Sequence, residues 1–344
     1  MTVELAALAE LEPALAADGF FAEKDAVAHV YVGYRASDAL RRTTVPAPPE
    51  PCVLPAVAYA IESTTTQPVR EPGGFTVGAW QRSWTESDYA DAVDAVRASI
   101  AEGDVYQVNL VQHLSADFDG DPHAVARALA PLRPLEPRPL TGDGWTIVSA
   151  SPELLLSRRG RRIRTSPIKG TRPAGVSIDS AKDAAEHVMI VDLERNDLAR
   201  VAKPGTVHWP ELLAERELAG VTHLVATVEA ELRENVTLTD LLAAVLPGGS
   251  VTGCPKIAAL DLIAQLEPVG RGASMGALGR IYPNGDLDLA LTIRTFAIAD
   301  GAIHLWVGGG IVWDSDPADE VEESWVKARP LLAAIGAPLA APVS

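Results

Sequence analysis

Ser166-Pro167-Ile168-Lys169-Gly170-Thr171 is the stretch on which the reading of this chain turns. A proline before it and a glycine after it confine the backbone around a single lysine. A lysine amine taken out of water loses basicity and becomes a nucleophile. By itself the hexapeptide also fits a solvated turn lysine. Its surroundings therefore carry the reading. Upstream, residues 147–149, 153–157 and 162–164 read as short strands of a hairpin-like region. Downstream, residues 180–200 place Val188, Ile190, Val191, Leu193 and Leu198 between charges and read as a helix.

Further out, residues 27–33 read as a strand and the proline-rich residues 46–55 as a loop. Thr85-Glu86-Ser87-Asp88 is a capping-box-like start for a helix that Gly103 ends. Residues 105–114 alternate like a strand, and 123–132 read as a helix. Residues 221–232 and 287–299 read as long strands, with helices at 241–245 and 255–266. Residues 302–307 read as a strand running into a Gly308-Gly309-Gly310 turn, and 318–332 as the last helix. These elements lack a regular strand–helix–strand rhythm, which predicts an α+β architecture rather than a doubly wound sheet.

The chain has 344 residues, 47% of them hydrophobic, enough for a large core. Its formal charge of -17 disfavours nucleic acid and anionic membranes as partners. No apolar run approaches the length of a membrane span. The two cysteines, Cys52 and Cys254, form no zinc-type cluster and fit a reducing cytoplasmic location; residues 1–17 do not read as a signal peptide.

Four constellations accompany Lys169. Asp183 and Glu186 are spaced i, i+3 on one predicted helix, as are Glu320 and Glu323 on another. If those faces meet, their oxygens need a hard cation between them, for which Mg²⁺ is the candidate; otherwise they are two solvated helix N-termini. Glu153, in Ser151-Pro152-Glu153, is a candidate general acid or an ordinary strand-edge glutamate. Glycine-rich turns at residues 247–253, which include Thr252, and at Gly308–Gly310 offer backbone N–H groups to an anion, although the first does not match a P-loop. Arg294, on an apolar strand, suits a carboxylate clamp or a structural ion pair. Lys327 follows Glu323 by one helical turn, and His223 either orients a substrate or is a core histidine.

Taken in order, these motifs resemble the chorismate-utilising enzymes. The matching segments include Gly103 to Leu110, Ser151-Pro152-Glu153, Pro167 to Thr171, Glu186 to Asp197, Pro247 to Lys256, Leu291 to Thr295 and Gly309 to Lys327. The resemblance implies mixed, mostly antiparallel sheets flanked by helices, with the active site between two subdomains. It divides the chain into an N-terminal segment at 1–84 belonging to the same globule, a chorismate-binding catalytic domain at 85–335, and a tail at 336–344.

Within that family the resemblance implies that the position of Gln107 carries a lysine where water is the nucleophile; glutamine cannot act as that base. A lysine at position 169 implies amination of chorismate at C4, giving 4-amino-4-deoxychorismate on the way to 4-aminobenzoate and folate. The implied roles are Lys169 as nucleophile, Glu153 as proton donor, and Mg²⁺ held by Glu186 and Glu323 with Asp183 and Glu320 behind them. Gln107, Thr171, His223, Thr252, Arg294, Gly309, Gly310 and Lys327 would surround the substrate. Ammonia would come from a separate glutamine amidotransferase subunit. The alternatives are an anthranilate-forming enzyme and a non-catalytic chorismate binder. Ser274 stands where the family usually has an aromatic residue, and Cys254 where alanine is more usual.

Overall fold

Short runs of β-branched and aromatic residues, separated by tight turns, fold into two antiparallel sheets. The computed structural model describes residues 1–63, 73–173, 181–218 and 221–337; of 171–173, 181–183, 217–218 and 221 it describes the backbone alone.

Among the described residues the first sheet has ten strands. Thr2–Leu5, Val57–Ser63 and Ala26–Val32 form one end and join Ala277–Ile281, Leu287–Leu291, Leu154–Arg159 and Arg162–Ser166. Val221–Glu231 then pairs along one edge with Arg162–Ser166 and Ile168–Pro173, and along the other with His208–Leu218. The second sheet has eight strands, centred on Gln107–Gly120, Ala302–Ile311, Thr295–Ala299 and Trp145–Ser149. Two short strands before residue 84, Phe75–Val77 and Gln81–Arg82, pair with Gln107–Gly120. The N-terminal 84 residues thus contribute to both sheets.

The strand period of two explains how the second sheet is buried on both faces. Trp145, Ile147, Ala297, Ala299 and Trp306 point into a core shared with the first sheet. Val148, Phe296, Ile298, Leu305 and Val307 point the other way, against the helices Pro122–Leu129 and Pro317–Ala334. A third cluster joins Glu86–Glu102 and Lys256–Leu266 to Val108, Leu110 and Ile311. Each fully buried Leu, Ile or Val contributes roughly 1.5–3 kcal/mol of transfer free energy. No helix among the described residues is long and apolar enough to cross a membrane.

The helix Glu86–Glu102 begins with a complete capping box, Thr85 and Asp88 each accepting the other's backbone N–H, and ends at Gly103 with φ 85°. Two expectations need correction. Residues 287–299 are not one strand. Leu287–Leu291 lies in the first sheet and Thr295–Ala299 in the second, with a crossover between them in which Arg294 has φ 51°. Thr292 holds that crossover by donating its N–H to the Gly276 carbonyl, accepting the Met275 N–H on its own carbonyl and accepting the Gly276 N–H on its hydroxyl. Apart from Asp288 both strands are buried on both faces, so alternation cannot reveal the change of sheet. Gly308–Gly310 is likewise no turn: it lies within Ala302–Ile311, opposite Val111, Leu110 and Asn109. A Cβ at Gly308 would come within 1.8 Å of the Leu110 carbonyl, so close approach of the strands requires glycine there.

Candidate active site

A cavity of about 560 Å³ opens where residues from both sheets meet the helix Pro317–Ala334, a volume suited to a small metabolite. The first sheet supplies Lys169 and His223, and the turn before Leu154–Arg159 supplies Glu153. The second supplies Asn109, Gly308 and Gly310, while Arg294 enters from the crossover. Carboxylates enter from two helices, Glu186 from Ala181–Ala199 and Glu320 and Glu323 from Pro317–Ala334.

Local chemistry sets each position. Pro167 separates two strands that pair successively with Val221–Glu231, which brings Lys169 opposite Leu224. A register shift follows, and Gly170 takes φ 63°. The Gly170 carbonyl accepts the Nδ1–H of His223 at 2.8 Å, which assigns the ring's proton to Nδ1. Burial lowers the His223 pKa and favours the neutral ring.

Burial also lowers the Lys169 pKa, assisted by Lys327 and opposed mainly by Glu186. Its Nζ approaches the Ser250 carbonyl at 3.5 Å, while the Ser250 hydroxyl donates to Glu153 Oε1 at 2.8 Å. Burial pushes Glu153 up to about 7, against the Ser250 hydrogen bond and the charges of Lys169 and Arg294. The site therefore holds an amine driven toward its neutral form and a carboxyl driven toward its protonated form, both touching one serine.

Glu153 also makes a stability prediction. Its folded-state pKa lies above its ordinary value of 4.5. The stability it contributes is therefore complete below about 4.5 and lost as pH rises through about 7. The difference is worth about 3 kcal/mol at mildly alkaline pH. Glu153→Gln keeps the acceptor for Ser250 and removes the ionisation. We expect it to raise the melting temperature of the ligand-free protein by several degrees at about pH 8 and to change it little near pH 5. Equal melting curves at both pH values would show that no buried carboxylate has to ionise here.

Opposite Lys169, a Cβ built at Gly309 would lie 3.2 Å from both Glu320 Oε2 and Glu323 Oε1 and 3.4 Å from Lys327 Nζ. These three groups thus converge beside one glycine. Lys327 bonds Glu323 Oε1 at 2.7 Å and the Gly308 carbonyl at 2.8 Å, and Ser315 donates to Glu320 Oε1 at 2.6 Å. The carboxylates that line the cavity offer the hard oxygen donors that Mg²⁺ takes. No three His, Cys, Asp or Glu residues stand in a preassembled metal cluster among the described residues.

Nine residues expected at the site line the cavity: Glu153, Lys169, Glu186, His223 and Arg294, together with Gly310, Glu320, Glu323 and Lys327. Three expected contacts stand behind it. Gln107 is fully buried, its amide makes no hydrogen bond among the described residues, and a Cβ at Gly310 would fall against its Nε2. Glycine at 310 is what leaves room for that amide. Thr252 is fully buried with its hydroxyl toward Tyr34, and Gly309 lies against the acidic helix. The side chains of Thr171 and Asp183 lie outside the described residues. Ser274 is buried and donates to the Thr292 carbonyl, which gives it a place in the crossover rather than in the cavity. Sequence reasoning missed Ser250, whose hydroxyl in a glycine-rich turn was the available signal, and Trp306, which reads as core and yet lines the cavity.

A family model described as chorismate binding enzyme matches residues 28–333. The chain belongs to the chorismate-binding enzyme family. This chorismate-binding enzyme is 44% identical over 271 residues to anthranilate synthase component 1 of Thermus thermophilus, covering 74% of this chain and 58% of the relative. It is 40% identical over 278 residues to aminodeoxychorismate synthase component 1 of Salmonella typhimurium, covering 77% and 61%. The chain thus spans about three fifths of the length of these curated relatives. Among solved structures, anthranilate synthase component I from Streptococcus pneumoniae superposes with a TM-score of 0.78 at 26% identity, covering 88% of this chain and 80% of that one. The α+β fold of this chorismate-binding enzyme is that of its relatives.

Proposed function

We propose that this enzyme aminates chorismate at C4 to give 4-amino-4-deoxychorismate, for 4-aminobenzoate and folate synthesis. The observation that carries the reading is the pairing of Lys169 and Glu153 through Ser250 in one cavity. Neutral Lys169 attacks C2 of the ring as the C4 hydroxyl leaves, taking the Glu153 proton and departing as water. Ammonia then adds at C4 and the C2–N bond to Lys169 breaks, which restores the ring double bonds and the free amine. Arg294 lines the cavity, and its guanidinium would hold a substrate carboxylate. Gln107 cannot deprotonate water, which supports ammonia over water as the nucleophile.

Mg²⁺ bound by Glu186 and Glu323, with Asp183 and Glu320 behind them, would polarise the ring carboxylate of chorismate. Ammonia would be delivered by a separate glutamine amidotransferase subunit, in keeping with the name component 1 that the relatives carry. A second reading, anthranilate formation, is favoured by the 44% identity to an anthranilate synthase component.

Product identification separates the two. Purified protein with chorismate, Mg²⁺ and ammonium at mildly alkaline pH should yield a product that an added lyase converts to 4-aminobenzoate. Excess chelator should abolish turnover, and Mg²⁺ should restore it. Anthranilate as the product would overturn the C4 assignment, and chelator-insensitive turnover would overturn the metal site.

A further inference from the structure

A second cavity, of about 350 Å³, opens against the same sheet that carries Lys169. Alternation along Arg162–Ser166 sends Ile163 and Thr165 into the interior and Arg164 and Ser166 to the opposite face, where this cavity lies. Its apolar lining is Pro152, Leu154, Val225, Leu289 and Ala290. Ile168 lines both cavities and is the wall they share. Three guanidiniums, those of Arg164, Arg216 and Arg280, complete the lining.

The arginines are set in place by the fold. Across the sheet Arg280 is opposite Asp288, Asp288 opposite Ser157, and Ser157 opposite Arg164, so both arginines stand on one face. Glu136 is 4% exposed and accepts two bonds from Arg280, at 2.7 and 3.0 Å. The neighbouring Leu135 N–H donates to the Ser151 carbonyl at 2.9 Å, which ties this side of the cavity to the segment before Glu153. Both acids in the lining are already engaged, Glu136 by Arg280 and Asp288 by Arg159 at 2.5 Å and Ser157 at 2.9 Å. On a chain of formal charge -17, three guanidiniums around an apolar hollow reverse the local sign.

We infer that this cavity is a second binding site, for a small carboxylate carried on a single apolar ring. A guanidinium meets a carboxylate through paired N–H donors, and the apolar lining suits the ring. The volume, at the small end for ligand sites, admits one ring and its carboxylate. An occupant would lie against Pro152 and Leu154 on either side of Glu153, and against Ile168 next to Lys169. It would therefore bear on the backbone that carries both groups. The site stands apart from the proposed reaction and is independent of which product the enzyme makes.

The probes are 4-aminobenzoate and anthranilate, each one ring with one carboxylate. Calorimetry on the full chain should show at least one of them binding with a Kd of about 1 mM or tighter. Arg164→Ser combined with Arg216→Ser should weaken that binding by about tenfold or more and leave chorismate affinity within about twofold. Both side chains are exposed, so the double variant should fold, and matching melting curves check it. Arg280 is left in place because its loss would strand the buried Glu136. Acetate, with the charge and no ring, should bind at least about tenfold more weakly than the better probe. Arg294→Ala, which removes a donor from the other cavity, should leave probe affinity within about twofold.

Binding by neither probe, or binding that the double variant keeps, would overturn the inference. Loss of the probe in Arg294→Ala would place it in the catalytic cavity and overturn it as well. Acetate binding as tightly as the probes would reduce the site to a surface patch for anions. None of these readouts needs turnover, so an enzyme that makes a different product defeats the functional reading alone.

Discussion

Lys169→Ala should lower kcat for C4 amination on the order of 10³-fold or more, while chorismate affinity changes by about threefold or less. The asymmetry follows from the division of labour in the cavity. Lys169 is the amine that burial drives toward its neutral form, and a neutral amine contributes little to holding a dianion. Arg294 and Lys327, also in the cavity, offer donors for the substrate carboxylates instead. Alanine leaves space and no nucleophile, and the hydroxyl of Ser250 keeps Glu153 as its partner. Chorismate titration by calorimetry and product quantification by mass spectrometry read the two quantities separately. Undiminished 4-amino-4-deoxychorismate output from Lys169→Ala would remove the covalent role, and parallel loss of binding and turnover would make the lysine a binding group.

Arg271→Met should cost about 3–5 kcal/mol of stability. Arg271 is 2% exposed and Glu267 is 5% exposed, so the pair is paid for in desolvation and holds only while both partners remain. The guanidinium bonds Glu267 through two nitrogens at 2.9 and 2.7 Å. It also bonds the Val251 carbonyl at 2.8 Å and the Asn109 carbonyl at 2.7 Å. Glu267 in turn accepts the Val111 N–H at 3.1 Å. One arginine thereby ties the Ser250 turn to the strand that carries Gln107 and Asn109. The Met variant leaves a buried carboxylate without its cation and two carbonyls without donors. Denaturant unfolding should show the loss directly, and Glu267→Leu combined with Arg271→Met should recover part of it because no lone charge then remains. A single variant within about 1 kcal/mol of the parent would show that this network does not hold the turn.

Much of the site was legible because its residues sit in short segments with distinctive chemistry. Lys169 between Pro167 and Gly170, Glu153 after Pro152, and the i, i+3 acids of the last helix were recognisable one segment at a time. Helix limits were legible for the same reason: the Thr85–Asp88 box and Gly103 act over three or four residues and need nothing distant. Gln107 and Thr252 lie beside the cavity wall rather than on it. Their distance from the substrate depends on Gly310 and Tyr34, which are far from them in sequence.

The sequence by itself determined the α+β class, the family, most helix and strand positions, and the residue types at the chemistry, because each follows from local propensity, period or motif. Folding alone sends residues 287–299 from one sheet to the other, makes Gly308–Gly310 strand, and joins Lys169 to Glu153 through Ser250. The physical reason is common to all three. An apolar strand has the same alternation whichever sheet accepts it, a glycine permits turn and close strand approach alike, and a buried carboxyl acquires its acidity from neighbours brought to it by folding.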